Sequence, residues 1–336
     1  MSALPSRRGV LLGAAGAGLA AVVSPGVAYA APAGTPAVMV TEQASKRILV
    51  LDPQAATWDP AVDPSCVRWQ FSPVGDPRYR DLVPDESWVY PAEAKARVHR
   101  GRTYLLTTAS FGFAAVVSYP SGRRYWGATL GPGDDLFNPH SIEILPDGNV
   151  AVACSTGALV RLYAASLGPH SERFAEVTLK GAHGLHWDAR SEVLWALGDD
   201  ELVAYRVGGG RVRPALTRLS SVGLPVAKPG KSPGGHDLFP VAGRPGRLWV
   251  TTSASVFQYD IAGGAFVQDF AGAAEIVRPG VKAIGNDPRT GQALSTVPES
   301  GLGETWWTTK VSVHRPPASH TLVNGGIYKA RWWLPR

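Results

Sequence analysis

Hydrophobic residues along this chain fall in short alternating runs between turn formers, not in the i, i+3, i+4 stripes of amphipathic helices. Ala37–Asp52 is an apolar run, a small polar turn and a second apolar run ending in a polar residue. The same outline recurs at Thr103–Tyr119, Asn149–Tyr163, Val193–Tyr205, Leu248–Tyr259 and, with a longer middle, Gln292–Val313. Each predicts two strands joined by a tight turn. Another short strand precedes most pairs: Ile142–Leu145 before Pro146-Asp147-Gly148, Leu185–Trp187 before Asp188-Ala189-Arg190, and Ile284–Asn286 before Asp287-Pro288-Arg289-Thr290-Gly291. Proline presets φ for a turn and glycine supplies positive φ, so these segments reverse the chain. A more polar strand follows, as at Ala215–Leu219 and Ala265–Phe270. Six four-stranded units, none able to bury both faces alone, predict an all-β, six-bladed β-propeller.

The two ends of the chain sharpen this expectation. Ala37–Asp52 has no strand before it, while Ile327-Tyr328-Lys329-Ala330-Arg331-Trp332 matches the opening strand of the second unit, Ala94-Lys95-Ala96-Arg97-Val98. The C-terminal strand is therefore expected to pair into blade one, closing the ring and removing exposed sheet edges. Long loops without structure are expected at Asp52–Ser65, Gly75–Ser87 and Val222–Gly235. Nothing reads as a linker, so residues 31–336 are expected to form one domain, acting as a monomer.

Composition agrees with a β protein: charged residues are 18% of the chain, and 38 Gly and 28 Pro are spread throughout. That distribution excludes a coiled coil, 45% hydrophobic residues exclude disorder, and 2 Cys exclude a disulfide scaffold. Residues 1–30 read as an export signal: Arg7-Arg8 precede a Gly/Ala-rich apolar run that ends in Ala28-Tyr29-Ala30. The paired arginines match a twin-arginine leader, an ordinary secretory signal being the alternative. The run is short, interrupted by Gly16 and Gly18 and ended by Pro25, so no membrane anchor is expected after cleavage near Ala31. Cleavage lowers the net charge from +6 to +4. Basic residues form no stripe with interleaved aromatics, which argues against nucleic acid.

Where the charge sits is more informative than its sum. Aligning the inner strands places Lys95, His140, His183, His236, Lys282 and Lys329 at one position, at intervals of 45, 43, 53, 46 and 47 residues. The next residue is small or acidic each time: Ala96, Ser141, Gly184, Asp237, Ala283 and Ala330. Inner strands line a propeller's channel, so these positions predict a ring of three imidazoles and three ammoniums that calls for a negative partner. Glu42, Asp199, Asp200 and Glu299 are expected on the same face. The loops entering the inner strands add Trp88, Glu93, Asn138, Lys231, Arg278 and Tyr328.

His140, His183 and His236 fall on consecutive blades and could hold one divalent ion such as Mn, Ca or Zn with positions left open. They could equally be neutral imidazoles bonded to loop carbonyls, or metal-free acid–base or anion-binding groups. His186 should face away from His183, His99 and His170 are expected at solvent-facing turns, and Cys66 and Cys154 as buried free thiols. Trp306 and Trp307 could stack on sugar rings or pack between blades. No nucleophile elbow, Walker or dinucleotide-binding sequence is present.

The leader, the segments Asn-Pro-His-Ser, Gly-Ala-His-Gly-Leu-His-Trp and Gly-Gly-His-Asp-Leu, and the closing Ile-Tyr-Lys-Ala-Arg-Trp-Trp resemble a family of secreted bacterial six-bladed propellers of unknown function. A looser likeness links the chain to propeller polysaccharide lyases, among which oligogalacturonate lyases bind a metal through channel histidines. That likeness implies a ligand role for His140, His183 and His236 alone.

Two functions follow as expectations. One is an extracytoplasmic lyase or hydrolase acting on an anionic, carbohydrate-like substrate. Lys95, Lys282, Lys329 and Arg278, with Tyr328 and Asn138, would bind it. A histidine, a metal-bound water or the pair Glu42 and Glu299 would act as acid or base. The other is a non-catalytic module that binds an anionic glycan or metabolite with the same ring.

Overall fold

A computed structural model describes residues 34–335; the leader lies outside the described residues. Six antiparallel sheets surround one axis, and the inner strand of each contacts the inner strands of both neighbours. The inner strands are, from blade one to blade six, Ile327–Trp332, Pro91–His99, Pro139–Ile144, Gly184–Asp188, Gly235–Pro240 and Ala283–Asn286. Ile327–Trp332 pairs antiparallel with Val38–Glu42, so the C-terminal strand closes the ring.

Hydrophobic clusters fill the interfaces between neighbouring blades. Between blades two and three, Leu106, Val116 and Trp126 pack with Ile142, Val152 and Tyr163; between blades six and one, Leu294, Val311 and Val313 pack with Val40, Leu49 and Trp332. Because each strand sends alternate side chains to opposite faces, one blade feeds two such interfaces, and its sheet is apolar on both sides. The Pro146-Asp147-Gly148 turn forms as expected, with Gly148 at φ 91°, and a β-carbon there would run into the Tyr125 hydroxyl.

Two of the expected loops are more ordered than the hydrophobic pattern suggests. Within Asp52–Ser65, Thr57–Trp58 joins the outer strand of blade six, Ala318–Leu322, as a parallel fifth strand. Trp58 is fully buried, stacks on His320 at 4.8 Å and donates from its indole to the Asp52 carbonyl. The loop that joins the two outer strands of blade one, Arg47–Leu51 and Val67–Phe71, thus clasps blade six. Within Gly75–Ser87, Pro77–Leu82 forms a 3-10 helix capped by Asp76, and Pro84–Ser87 a single helical turn. Both thiols are buried and unbridged.

Candidate functional site

Inner strands run from one mouth of the channel, where they begin, to the other, where they end. At the entry mouth lies a cavity of about 300 Å3. Its wall is aromatic: Tyr90 meets Phe111 edge-on at 5.7 Å and Trp306 at 5.6 Å. Trp306 arrives on the long middle of blade six, where the indole N–H groups of Trp306 and Trp307 both reach the Gln43 side-chain oxygen, at 2.9 and 2.6 Å. The Tyr90 hydroxyl donates to Glu304 at 2.6 Å, tying that segment to blade two. The polar side is built by His140, His236, Tyr328, Asn138 and Lys282, with Asp135 exposed at the rim.

The three histidines do come together, with ring centroids 4.4 Å apart for His140–His183, 4.9 Å for His183–His236 and 6.3 Å for His140–His236. β-Bulges deliver two of them. In blade three Ala153 opposes Ser141 and Cys154 opposes Pro139, so His140 is the extra residue; in blade five Thr252 opposes Gly235 and Thr251 opposes Asp237, so His236 is. A bulge frees one residue from the ladder and re-aims its side chain, which lets His236 and Asp237, adjacent in sequence, both serve the channel. His183 precedes its strand and its Nδ1 lies 2.7 Å from the Gly181 carbonyl. A carbonyl only accepts, so Nδ1 carries the proton and Nε2 the lone pair. The Tyr328 hydroxyl sits 2.8 Å from His236 Nε2.

Burial holds all three imidazoles neutral at pH 7. It pushes His183 down to about 4, and His140 and His236 well below the ordinary value, with further depression from Lys282 and Lys329. Burial raises the Tyr328 phenol, so its proton stays on. Lys282 is lowered by burial and then by Lys329, and among the described residues it makes no ion pair.

The ring of six does not exist as one level. Lys95 and Lys329 lie deeper, in a plug that fills the channel. Lys95 is fully buried and donates to the Ser141 hydroxyl at 3.0 Å and the Leu185 carbonyl at 2.6 Å. Lys329 lies 3.4 Å from Glu93 and 3.3 Å from Asp237. Arg331 forks onto both Asp237 oxygens and reaches Glu93 at 3.4 Å, while Arg97 grips Glu143 through two contacts of 2.8 Å. Four cations therefore share the carboxylates of Glu93, Glu143 and Asp237, leaving one positive charge in excess. Apart from Arg97, the side chains of this plug are buried between the inner strands.

The remaining expected site residues have other partners. Glu42 accepts from the backbone of Ala44 at 3.1 Å, Ser45 at 2.7 Å and Gly326 at 2.9 Å, bracing the blade-one turn. Glu299 accepts from Thr308, Thr309 and Lys310, and those bonds hold it at about 2. Neither lines the cavity, so they do not form a catalytic pair there. Arg278 is exposed on blade six beside His314, away from the cavity. His99, expected at the surface, is 6% exposed.

His183 keeps its Nε2 lone pair free, whereas His236 Nε2 is occupied by the Tyr328 hydroxyl. Among the described residues no group of three or more His, Cys, Asp or Glu side chains is placed to hold a metal ion.

Comparison with known proteins places this architecture. The DUF6528 profile, described as a family of unknown function, matches residues 37–335. The chain belongs to this family. No curated protein matches it. Among solved structures, it resembles a protein of unknown function from Bacteroides caccae at 12% identity and TM-score 0.52, covering 88% of this chain and 98% of that one. It also resembles virginiamycin B lyase from Staphylococcus aureus at 10% identity and TM-score 0.42, covering 69% and 70%. The first of these likenesses concerns the fold alone, and family membership leaves the chemistry to be argued from the site.

Proposed function

We propose that this protein is an exported propeller that binds an anionic, carbohydrate-like ligand in the entry-mouth cavity. The observation that carries the reading is Lys282: an ammonium without a carboxylate partner among the described residues, in a cavity walled by Tyr90, Phe111 and Trp306 and edged by neutral hydrogen-bonding groups. Aromatic faces suit the apolar face of a sugar ring, Asn138, His140 and Gln43 suit its hydroxyls, and Lys282 suits one carboxylate. The cavity takes one charge rather than a polyanion, because the other two lysines of the series are paired with carboxylates in the plug, away from the cavity. Export rests on the Arg7-Arg8 leader.

The same groups suit elimination from a uronate. A neutral imidazole of His140 would take the proton beside the carboxylate, and the Tyr328 hydroxyl, turning from His236, would give its proton to the departing glycosidic oxygen as the ring double bond forms. Lys282 against the carboxylate would make that C–H more acidic. Titration calorimetry with digalacturonate, followed by ultraviolet absorbance for unsaturated product, tests both parts. Binding that Lys282→Met weakens at least about tenfold is expected, since a charged hydrogen bond contributes about 1.5–3 kcal/mol. Equal affinity in the variant would reject the reading. Binding without new absorbance would leave a binding module and reject the elimination.

A further inference from the structure

A second cavity, of about 470 Å3, opens at the other mouth of the channel, where the inner strands of blades two to five end. It is separate from the entry-mouth cavity because the buried ion-pair plug lies between them. Its walls are apolar, from Val98, Ile144, Leu145, Pro146 and Trp187. Its charges are Arg97, Arg100 and Glu143, and Glu143 is already held by Arg97. Arg100 is exposed and makes no ion pair among the described residues. The neighbouring carboxylates are engaged in their own turns: Asp147 accepts from Asn149 at 2.9 Å and Asp188 from Arg190 at 3.1 Å.

One further observation points to a ligand. The plug holds four cations against three carboxylates, and Arg97 is the member that reaches a cavity: its side chain is 11% exposed, against 0–1% for Lys95, Lys329 and Arg331. Arg97 spends three N–H groups on Glu143 and the Ala96 carbonyl, so two of its five donors are free for an anion.

We infer that the exit-mouth cavity is a second ligand site, which takes a small aromatic carboxylate with its ring against Trp187 and the apolar wall and its charge toward Arg97 and Arg100. A neutral ligand would leave the excess charge unanswered, and a sugar would leave its hydroxyls against Val98, Ile144 and Leu145.

Titration calorimetry of the intact protein with phenylacetate, and with phenylacetamide as the uncharged comparator, tests this. Phenylacetate is expected to bind at least tenfold tighter than the amide. Arg100→Gln should weaken it about tenfold, and Ala189→Trp, which fills the cavity from an exposed turn, should abolish it. Lys282→Met at the opposite mouth should leave it unchanged, and digalacturonate should not compete. No phenylacetate binding at millimolar concentration, equal binding of the amide, or binding untouched by both Arg100→Gln and Ala189→Trp would overturn the assignment. Loss of binding in Lys282→Met would move the ligand to the entry mouth and overturn it equally.

Discussion

Replacing Asp237 by asparagine removes one negative charge from the plug with almost no change in shape. Asp237 is fully buried. It accepts both guanidinium branches of Arg331, lies 3.3 Å from Lys329 and takes the Ile284 N–H at 3.1 Å. The amide can keep one or two of these bonds, but the substitution leaves four cations facing two carboxylates away from water. Breaking a buried pair from one side costs about 3–5 kcal/mol, because the surviving charge remains desolvated. Lys329 and Arg331 both lose their nearest anion here, so the upper end of that range applies. The matched control is Arg68→Gln, which removes an ion pair whose arginine side chain is 47% exposed. Exposed pairs contribute about 0–1 kcal/mol. Urea unfolding of the two variants and the parent, followed by tryptophan fluorescence, measures the difference. A loss for Asp237→Asn no larger than that for Arg68→Gln would refute the claim that the plug is a desolvated ion-pair network.

Two other outcomes follow from the same structure. Burial lowers Lys95 from its ordinary 10.5 to about 8, so between those values the unfolded chain binds more protons than the folded one. Stability relative to Lys95→Met should therefore rise as pH goes from about 8 to about 10, and a flat or falling difference in urea midpoints would contradict the burial of a charged amine. Deleting Gly326–Arg336 removes the inner strand of blade one, including Lys329 and Arg331 of the plug. It should abolish a cooperative melting transition by calorimetry, whereas an unchanged melting curve would count against ring closure.

The fold was legible because its signals are local and repeated. Alternation marked the strands, Asp/Pro/Gly segments marked the turns, and the likeness of Ile327–Trp332 to Ala94–Val98 marked the closure. The clasp at Thr57–Trp58 was not, since two residues carry no period and pair with a strand more than 250 positions away. The site was legible in part. The six-fold register found the basic positions but not their depth, because a bulge shifts parity by one residue without altering the hydrophobic pattern. His140 and His236 thus rise to the cavity, while Ser141 and Asp237 beside them turn to the plug. Counting by twos from Lys95 would have found Glu93 and Arg97, and from Lys329 Arg331, the ladder of charges on one strand face. Glu143 needed knowledge of the blade-three bulge. Trp306 lies in the long middle of blade six, which the repeat does not align, and tethers to Gln43 and from Tyr90 to Glu304 bring it over the cavity.

The central claim is that the entry-mouth cavity, lined by the Lys282 ammonium, is where a carboxylated sugar binds. A crystal structure of the protein grown with digalacturonate tests it most directly. The account predicts one sugar ring against Trp306, its carboxylate within hydrogen-bond distance of Lys282 Nζ and its hydroxyls near Asn138 and His140. An entry-mouth cavity left without sugar at saturating ligand, or a sugar bound elsewhere on the propeller, would contradict it.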